Sequence, residues 1–403
     1  FFLNFFVKSV MMDIEVDEED KIVEQVPDMK LAQMTFAITK GRASKEDLAH
    51  VMEVIKDKNM KPYYTLLNSK FPKLFRIDDE SLLQEMEKIN SSKEEEIKKA
   101  QEIAEKDSGN VEVLDAMFLR ASHFARIGDK DEAYKAHDAI LSRTKISTGR
   151  KIDAAMSKIR VMLFHGDVTK LRDEIENAKK LNEIGGDWDR RNRLKVYEAF
   201  YLESVRDMKS AASLLLECVA TFTCYELCTY EEFIFHMVST NILYLPRTTI
   251  KKRIVDGPEV LAVLPSLPQL YKLVNSLYNC DYKGFMAAMV EINEQLLSDR
   301  YLSLHACYLI KELRILAYTQ YLDAYRSVVV ESMAKAFGVS EAFLDVELSR
   351  FIAAGRLNAQ IDKVGGVVET NRPDKKNAQY QAAIKQGDIL LNKIQKLARI
   401  TDV

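Results

Sequence analysis

Residues 337–373 read FGVSEAFLDVELSRFIAAGRLNAQIDKVGGVVETNRP, and their pattern predicts the fold of the C-terminal part of the chain. Ser340 occupies a helix N-cap position, and apolar residues then recur at helical spacing until Gly355, which can end the helix in a left-handed conformation. From Leu357 the period changes to two, and Gly365-Gly366 separates two short runs, which is typical of a tight hairpin. Upstream, residues 328–337 are predicted to form a short helix. The order helix, turn, helix and two-stranded wing predicts a winged helix.

Winged helices often bind DNA, and the charge of the second helix weighs against that function here. Between residues 341 and 355 it carries three carboxylates and one base: Glu341, Asp345, Glu347 and Arg350. A helix that enters a major groove needs basic residues, because neutralising phosphates supplies most of the affinity. The sequence therefore favours a protein-packing winged helix, with nucleic-acid binding as an alternative.

An internal repeat precedes the winged helix. The absence of proline between Pro72 and Pro246 predicts successive helices. Four aspartates are expected in loops between antiparallel helices, each followed four positions later by an apolar residue: Asp129, Asp167, Asp207 and Asp281. Their spacings of 38, 40 and 74 residues, the last close to two repeats, are typical of TPR-like or HEAT-like solenoids. Such arrays offer long surfaces rather than a closed pocket.

Composition limits the class of protein. A chain of 403 residues suggests two or three domains, and 47% hydrophobic with 30% charged residues indicates a globular protein. Only 14 glycines and 8 prolines favour an all-helical chain. A net charge of −3 gives no long-range attraction to nucleic acid or anionic membranes. Five cysteines in so long a chain indicate a reducing compartment.

The predicted organisation has five parts. They are a disordered acidic segment (1–26), N-terminal helices (27–107), TPR-like repeats (108–245), helical pairs with the winged helix (246–373), and a C-terminal helix (374–403). The apolar start, residues 1–7, is too short to span a bilayer and lacks a basic leader, so we expect a tail or upstream translated sequence, not a signal peptide. The helix predicted over residues 79–106 has a thin apolar stripe, which fits an exposed arm or a capping helix.

No catalytic or metal-binding motif emerges from the sequence. There is no GxxxxGK[ST] loop, and the six histidines form neither HxH nor HExxH. Cys224, Cys228 and His236 suggest a zinc site, but a fourth ligand is not evident, and free cysteines in a helical core explain them better. We expect no catalytic residue, no metal and no cofactor.

Two segments resemble a known family. LSRFIAAGRL followed by IDKV, a glycine turn and VETNRPD resembles the second half of a PCI domain, a module found in the proteasome lid, the COP9 signalosome and a translation-initiation complex. Residues 185–197, GGDWDRRNRLKVY, resemble the hallmark segment of the PCI-domain lid subunits of the proteasome regulatory particle, the non-ATPase regulatory subunit 6 family. The resemblance runs from about Pro27 to the C-terminus.

This resemblance implies an all-α fold, with a right-handed TPR-like solenoid followed by a winged helix. It implies a non-catalytic scaffold in the lid that supports ATP-dependent degradation of ubiquitylated proteins. The expected partners are the other lid PCI subunits and the regulatory particle, in a hetero-oligomer of the cytoplasm and nucleus, with no membrane or nucleic acid. A COP9 signalosome subunit is the nearer alternative, and the two quoted segments favour the lid.

Three sets of residues are expected to make contacts with partners. The winged helix would join an edge-to-edge row of PCI domains through Phe343, Leu348, Phe351, Ile361 and Val367. The terminal helix, from about residue 375 to 400, would enter a helical bundle, or fold back on the winged helix, through Leu390, Leu391, Ile394 and Leu397. Within DWDRRNR we expect an aspartate to cap a helix and the arginines to bind carboxylates of neighbouring helices. Trp188, Arg190 and Arg191 are therefore expected to have a structural or interface role.

Overall fold

A computed structural model gives the architecture of residues 26–75, 80–107, 110–144, 146–371 and 375–401. The predicted disordered acidic segment lies almost wholly outside these residues, as do Ser108, where the predicted repeats begin, and Pro373. By its internal contacts the chain divides into two compact units. The first runs to Asn275 and adds Ala288–Ile310, and the second comprises Ser276–Ala287 and the residues from Lys311 onward.

The first unit is helical, as the scarcity of glycine and proline predicted. Its first helices are α1 (Met29–Thr39), α2 (Lys45–Asp57), α3 (Lys61–Lys70) and α4 (Glu80–Asp107). The repeat region follows with α5 (Asn110–Ile127), α6 (Lys130–Ser142), α7 (Thr148–His165), α8 (Val168–Gly185), α9 (Trp188–Val205), α10 (Met208–Cys218) and α11 (Tyr230–Asn241). Polar caps start many of them; Ser44, for example, forms a capping box with Asp47 at α2.

The aspartate repeat marks the interhelical loops, as predicted. Asp129 and Asp207 cap α6 and α10 by accepting from the backbone N–H of Glu132 at 3.2 Å and of Ser210 at 3.3 Å. Asp167 stands at the N-cap of α8, where its side chain pairs with Lys130 at 2.8 Å. The residue before each aspartate is left-handed, with φ of 76°, 72°, 72° and 61° at Gly128, Gly166, Arg206 and Cys280. The repeat is therefore a left-handed helix end followed directly by an N-cap.

The helices of the repeats are joined by apolar contacts and by the ion pairs of a buried lysine. One apolar cluster links α4, α5, α6 and α7: Ala104, Val113, Met117, Ala121, Ile140 and Ala154. Lys158 of α7, whose side chain is 8% exposed, reaches Asp138 of α6 and Glu174 of α8, each at 2.6 Å. Ala104 belongs to α4, and Met86 and Ile97 of the same helix are also buried. Helix α4 thus packs on α5 as a capping helix and is not a free arm.

The N-terminal helices fold back onto the repeats. The ring of Tyr63 in α3 lies 4.9 Å from that of Phe164 in α7. Gln33 of α1 donates to the carbonyl of Ser298 at 3.0 Å. Gly128 is required at this contact, because a Cβ on it would lie 2.6 Å from the Cβ of Tyr63 and its φ is positive.

The segment from Pro246 to Pro268, which contains four of the eight prolines, forms short helical pieces. They are α12 (Arg247–Ile250), a π-turn (Lys251–Val255), α13 (Pro258–Leu261) and a 3₁₀ turn (Leu264–Ser266). Three longer helices follow, α14 (Pro268–Tyr278), α15 (Tyr282–Ser298) and α16 (Ala306–Leu322). Residues up to Asn275 lie in the first unit, so the first unit extends past the predicted domain border at residue 246.

The second unit contains the predicted winged helix. Its helices are α17 (Val330–Phe337) and α18 (Glu341–Ala353). Gly338 ends α17 with φ of 66°, Ser340 caps α18, and Gly355 has φ of 67° just beyond its end. Ser340 and Gly355 therefore mark the start and the end of α18, as the sequence predicted.

The wing has one more strand than predicted. Strands β1 (Ser327–Val329), β2 (Ala359–Asp362) and β3 (Val367–Thr370) form an antiparallel sheet in the order β1-β3-β2. The sequence prediction placed Val328 and Val329 in a helix and was wrong there. Both are β-branched, and they pair with Val368 and Val367 of β3, a partner that helical spacing does not reveal. The last helix, α19 (Lys375–Thr401), follows β3.

Candidate assembly surfaces

Helix α19 presents a large apolar surface. Every side chain that the structure describes in it is exposed, including Leu390, Leu391, Ile394 and Leu397 at 54–61%. At 1.5 Å per residue, its 27 residues span about 40 Å. The alternative in which this helix folds back on the winged helix is therefore not the arrangement found. An apolar helix face of this kind suits docking against other helices.

The winged-helix residues expected at an interface divide into two groups. Phe343 of α18 is 42% exposed, and Ile361 and Val367 of the wing are half-buried. Leu348 and Phe351, at 0% and 4%, lie inside the core of their own domain. The prediction that Leu348 and Phe351 lie on a contact surface is therefore wrong, because α18 turns that side towards its own unit.

The carboxylates of α18 are less exposed than the sequence suggested. Glu347 is buried, pairs with Arg314 at 2.9 Å and accepts from the hydroxyl of Tyr318 at 2.7 Å. Asp345 pairs with Lys363 at 3.2 Å. The outer side of α18 is consequently apolar and close to neutral, with Phe343 and Val346 exposed. It offers no basic surface for phosphates.

The DWDRRNR segment connects neighbouring helices through a helix cap and ion pairs, as predicted. Asp187 caps α9 by accepting from the N–H of Arg190 at 2.9 Å. The Arg190 guanidinium binds both carboxylate oxygens of Asp153 on α7, at 2.8 and 2.9 Å, and an oxygen of Asp187 at 2.6 Å. Trp188 is 64% exposed and Arg191 is exposed, so both side chains lie on the surface. These two side chains are available to a partner.

A buried ionic cluster in the first unit was missed by sequence reasoning. His236 lies between two carboxylates, with Nδ1 2.8 Å from Glu203 and Nε2 3.2 Å from Asp299. Burial alone would lower the pKa of His236, but the two carboxylate charges and their hydrogen bonds outweigh it and raise that pKa well above the usual value. The only sequence signal was a charged residue inside each of two apolar runs, AFYLESV and FIFHMVS. The cluster joins α9, α11 and the turn after α15.

This cluster does not activate a nucleophile. Cys228 and His236 line the same small cleft, but both nitrogens of His236 are occupied by carboxylates. Burial raises the pKa of the Cys228 thiol well above its usual value, and burial does the same for Cys224. A protonated thiol is a poor nucleophile and a poor zinc ligand. Across the described residues, no group of three or more histidine, cysteine or acidic side chains is placed to hold a metal ion.

Two further observations bear on the class of protein. Within the described part of the chain, none of the helices combines the length and apolarity needed to cross a bilayer. Among the described residues, a cleft beside His236 and Asp299 has a volume of about 590 Å³ and is lined by several glutamates and glutamines.

Comparison with known proteins identifies three family models along the chain. Residues 79–253 match the model described as 26S proteasome subunit RPN7, and residues 289–372 match the PCI domain. Residues 379–400 match the 26S proteasome regulatory subunit RPN7/PSMD6 C-terminal helix. The matched segments cover the repeats, most of the winged-helix unit and α19.

Curated relatives match over nearly the whole chain. The 26S proteasome non-ATPase regulatory subunit 6 homolog of Arabidopsis thaliana is 46% identical over 387 residues, covering 94% of this chain and 98% of the relative. The 26S proteasome non-ATPase regulatory subunit 6 of Oryza sativa is 44% identical over 399 residues, covering 97% and 100%. The COP9 signalosome complex subunit 1 of Arabidopsis thaliana is 27% identical over 142 residues, only 35% of this chain.

Proposed function

Because this chain belongs to the family of 26S proteasome non-ATPase regulatory subunit 6, we propose that it is a non-catalytic scaffold of the proteasome regulatory-particle lid. In this role it supports ATP-dependent degradation of ubiquitylated proteins by holding other subunits in place. Its partners are the other PCI subunits of the lid, in a hetero-oligomer of the cytoplasm and nucleus. The signalosome alternative is disfavoured, since that similarity covers about a third of the chain.

The observation that carries this proposal is the exposed apolar face of α19. Four large aliphatic side chains of one helix face stand more than half exposed: Leu390, Leu391, Ile394 and Leu397. Burying one such side chain contributes about 1.5–3 kcal/mol, so a helix that leaves four in water is poised for association. We infer that α19 enters a bundle with helices of other lid subunits.

The winged helix supplies the second proposed contact. Phe343 on α18 and Ile361 and Val367 on the wing keep apolar surface available after the domain has formed its own core. We propose that they lie in the PCI–PCI contact. Trp188 and Arg191, exposed at the start of α9, form a third candidate surface. Large aromatic side chains and arginine are enriched at interfaces, which supports this choice.

The test replaces one apolar residue of α19 in the full-length chain. Leu391→Asp places a charge on the apolar face, and Ile389→Asp makes the same change two positions away, on the opposite face of the helix. Tagged chains are expressed in cells and their fraction in the assembled particle is read by native electrophoresis and mass spectrometry. We expect Leu391→Asp to lower that fraction about 10-fold or more, since each 1.4 kcal/mol lost is a factor of ten.

Ile389→Asp is expected to assemble like the unaltered chain. Normal incorporation of Leu391→Asp, or of a chain ending at residue 374, would contradict the proposal that α19 is a docking element. Recovery of the unaltered chain with signalosome subunits, with RNA or as a free monomer would contradict the lid function itself.

A further inference from the structure

The apolar face of α19 follows a strict coiled-coil period. Residues alternately four and three apart fall on one stripe, here called the seam: Tyr380, Ile384, Gly387, Leu391, Ile394, Ala398 and Thr401. Ala383, Leu390 and Leu397 widen it on one side. A repeat of 3.5 residues keeps a stripe facing a neighbouring helix along its whole length. The geometry of the seam therefore selects a helix as the occupant.

A notch interrupts the seam at its middle. Gly387 stands between Ile384 and Leu391, which are 58% and 55% exposed, and a Cβ built on Gly387 would meet nothing within 4 Å. Glycine is among the weakest helix formers, so it does not serve the helix here. In knobs-into-holes packing, a missing side chain in a row of large ones makes a hole for a large side chain of the facing helix.

The charge of α19 restricts which helix can face it. Its 27 residues include six basic side chains and one acidic side chain, a net charge of +5, in a chain whose total is −3. Two copies of α19 packed side by side would place like charges within about one Debye length, which disfavours self-association. A partner helix rich in aspartate and glutamate is attracted instead.

We propose that the seam of α19 takes an acidic amphipathic helix of a neighbouring subunit, and that this helix seats a large apolar side chain over Gly387. This inference rests on the proposed lid function. It adds the chemistry of the partner and the residue that sets its register. Gly387 acts as a specificity-determining position, because a side chain there would fill the hole and push the facing helix away.

The experiment compares three full-length chains in cells: Gly387→Leu, Gly387→Ala and the control Asn392→Leu. Asn392 lies five residues from Gly387 and so faces away from the seam, and it receives the same new side chain. We expect Gly387→Leu to lower the fraction assembled into particles about 10-fold, Gly387→Ala to lower it less, and Asn392→Leu to leave it unchanged. Both substitutions at Gly387 raise helix propensity, so far-UV circular dichroism of the purified chains should show no loss of helix.

Failure of this inference is distinguishable from failure of the lid function. If Leu391→Asp is excluded from particles while Gly387→Leu assembles normally, the notch has no role and the proposed docking of α19 stands. If neither is excluded, docking through α19 is itself refuted. The partner is identified by a photo-cross-linking residue in place of Gln395, at the border of the seam. Capture of an acidic helical peptide supports the inference, and capture of a basic peptide, a second copy of this chain or phospholipid overturns it.

Discussion

Replacing His236 with glutamine removes the cation that holds the buried cluster together. The side chains of His236 and Glu203 are 4% and 0% exposed, and that of Asp299 is 13% exposed. Asp299 also accepts from the backbone N–H groups of Tyr301 and Leu302 at 2.8 and 2.7 Å. Without the imidazolium, Glu203 keeps a buried carboxylate with no opposite charge beside it.

The expected loss of unfolding free energy follows from the burial of these side chains. Removing one partner of a buried ion pair costs about 3–5 kcal/mol, because the remaining charge stays desolvated. The glutamine amide can donate to one of the two carboxylates, so we expect His236→Gln to lower the free energy of unfolding by about 3 kcal/mol. His50→Gln is the matched control, since His50 is exposed, and it should stay within about 0.5 kcal/mol of the unaltered protein.

The pH dependence of this contribution has a defined sign. The pKa of His236 is raised in the folded state, so the folded protein binds the proton more tightly than the unfolded chain does. The stabilisation is complete below the unfolded pKa of about 6.5 and falls as pH rises towards the folded pKa. Between these limits the loss is about 1.4 kcal/mol per pH unit. Burial alone would raise the pKa of Asp299, but the charge of His236 and the hydrogen bonds to Asp299 outweigh it and lower that pKa, so Asp299 loses its contribution at the acid end instead.

Urea denaturation of the purified chain, followed by circular dichroism between pH 6 and 9, measures both effects. The reference for the pH series is Glu203→Gln with His236→Gln, in which neither group titrates. The difference in unfolding free energy between the unaltered chain and this double variant should shrink as pH rises. A cost below about 1 kcal/mol for His236→Gln, together with a pH-independent difference, would refute the account of a charged buried cluster.

Two further substitutions test contacts in the first unit. Gly128→Ala should destabilise the protein by about 3 kcal/mol, because the left-handed backbone costs about 1–2 kcal/mol and the new Cβ would clash with Tyr63. Gly41→Ala is the control: Gly41 has φ of 69° and nothing within 4 Å of a Cβ, so this variant should show the backbone cost alone. Equal urea midpoints for the two variants would show that the clash is relieved. Lys158→Met should cost about 1–3 kcal/mol, because it leaves Glu174, 17% exposed, without its cation. Lys135→Met breaks an exposed pair and should leave the melting temperature nearly unchanged, so similar thermal shifts for the two variants would contradict a larger contribution of Lys158.

Sequence reasoning found the winged helix and the repeats because their signals are local. Ser340, Gly338 and Gly355 fix helix ends through their own backbone conformation, and Asp129 and Asp207 cap the helices that follow them. The exposed face of α19 was also readable, since helical spacing alone places Leu391 and Ile394 on one side. These features need no knowledge of distant parts of the chain.

Other features depended on contacts between residues far apart in sequence. The strand at Val328 exists because β3 lies beside it, and Leu348 left the predicted surface because α18 turns that side inward. Glu203, His236 and Asp299 come from three separate elements, and no period or spacing links them. Local chemistry therefore placed most helix ends and identified the apolar faces. Which apolar faces are covered and which charges meet depends on packing between elements that are distant in the sequence, and local chemistry does not specify that packing.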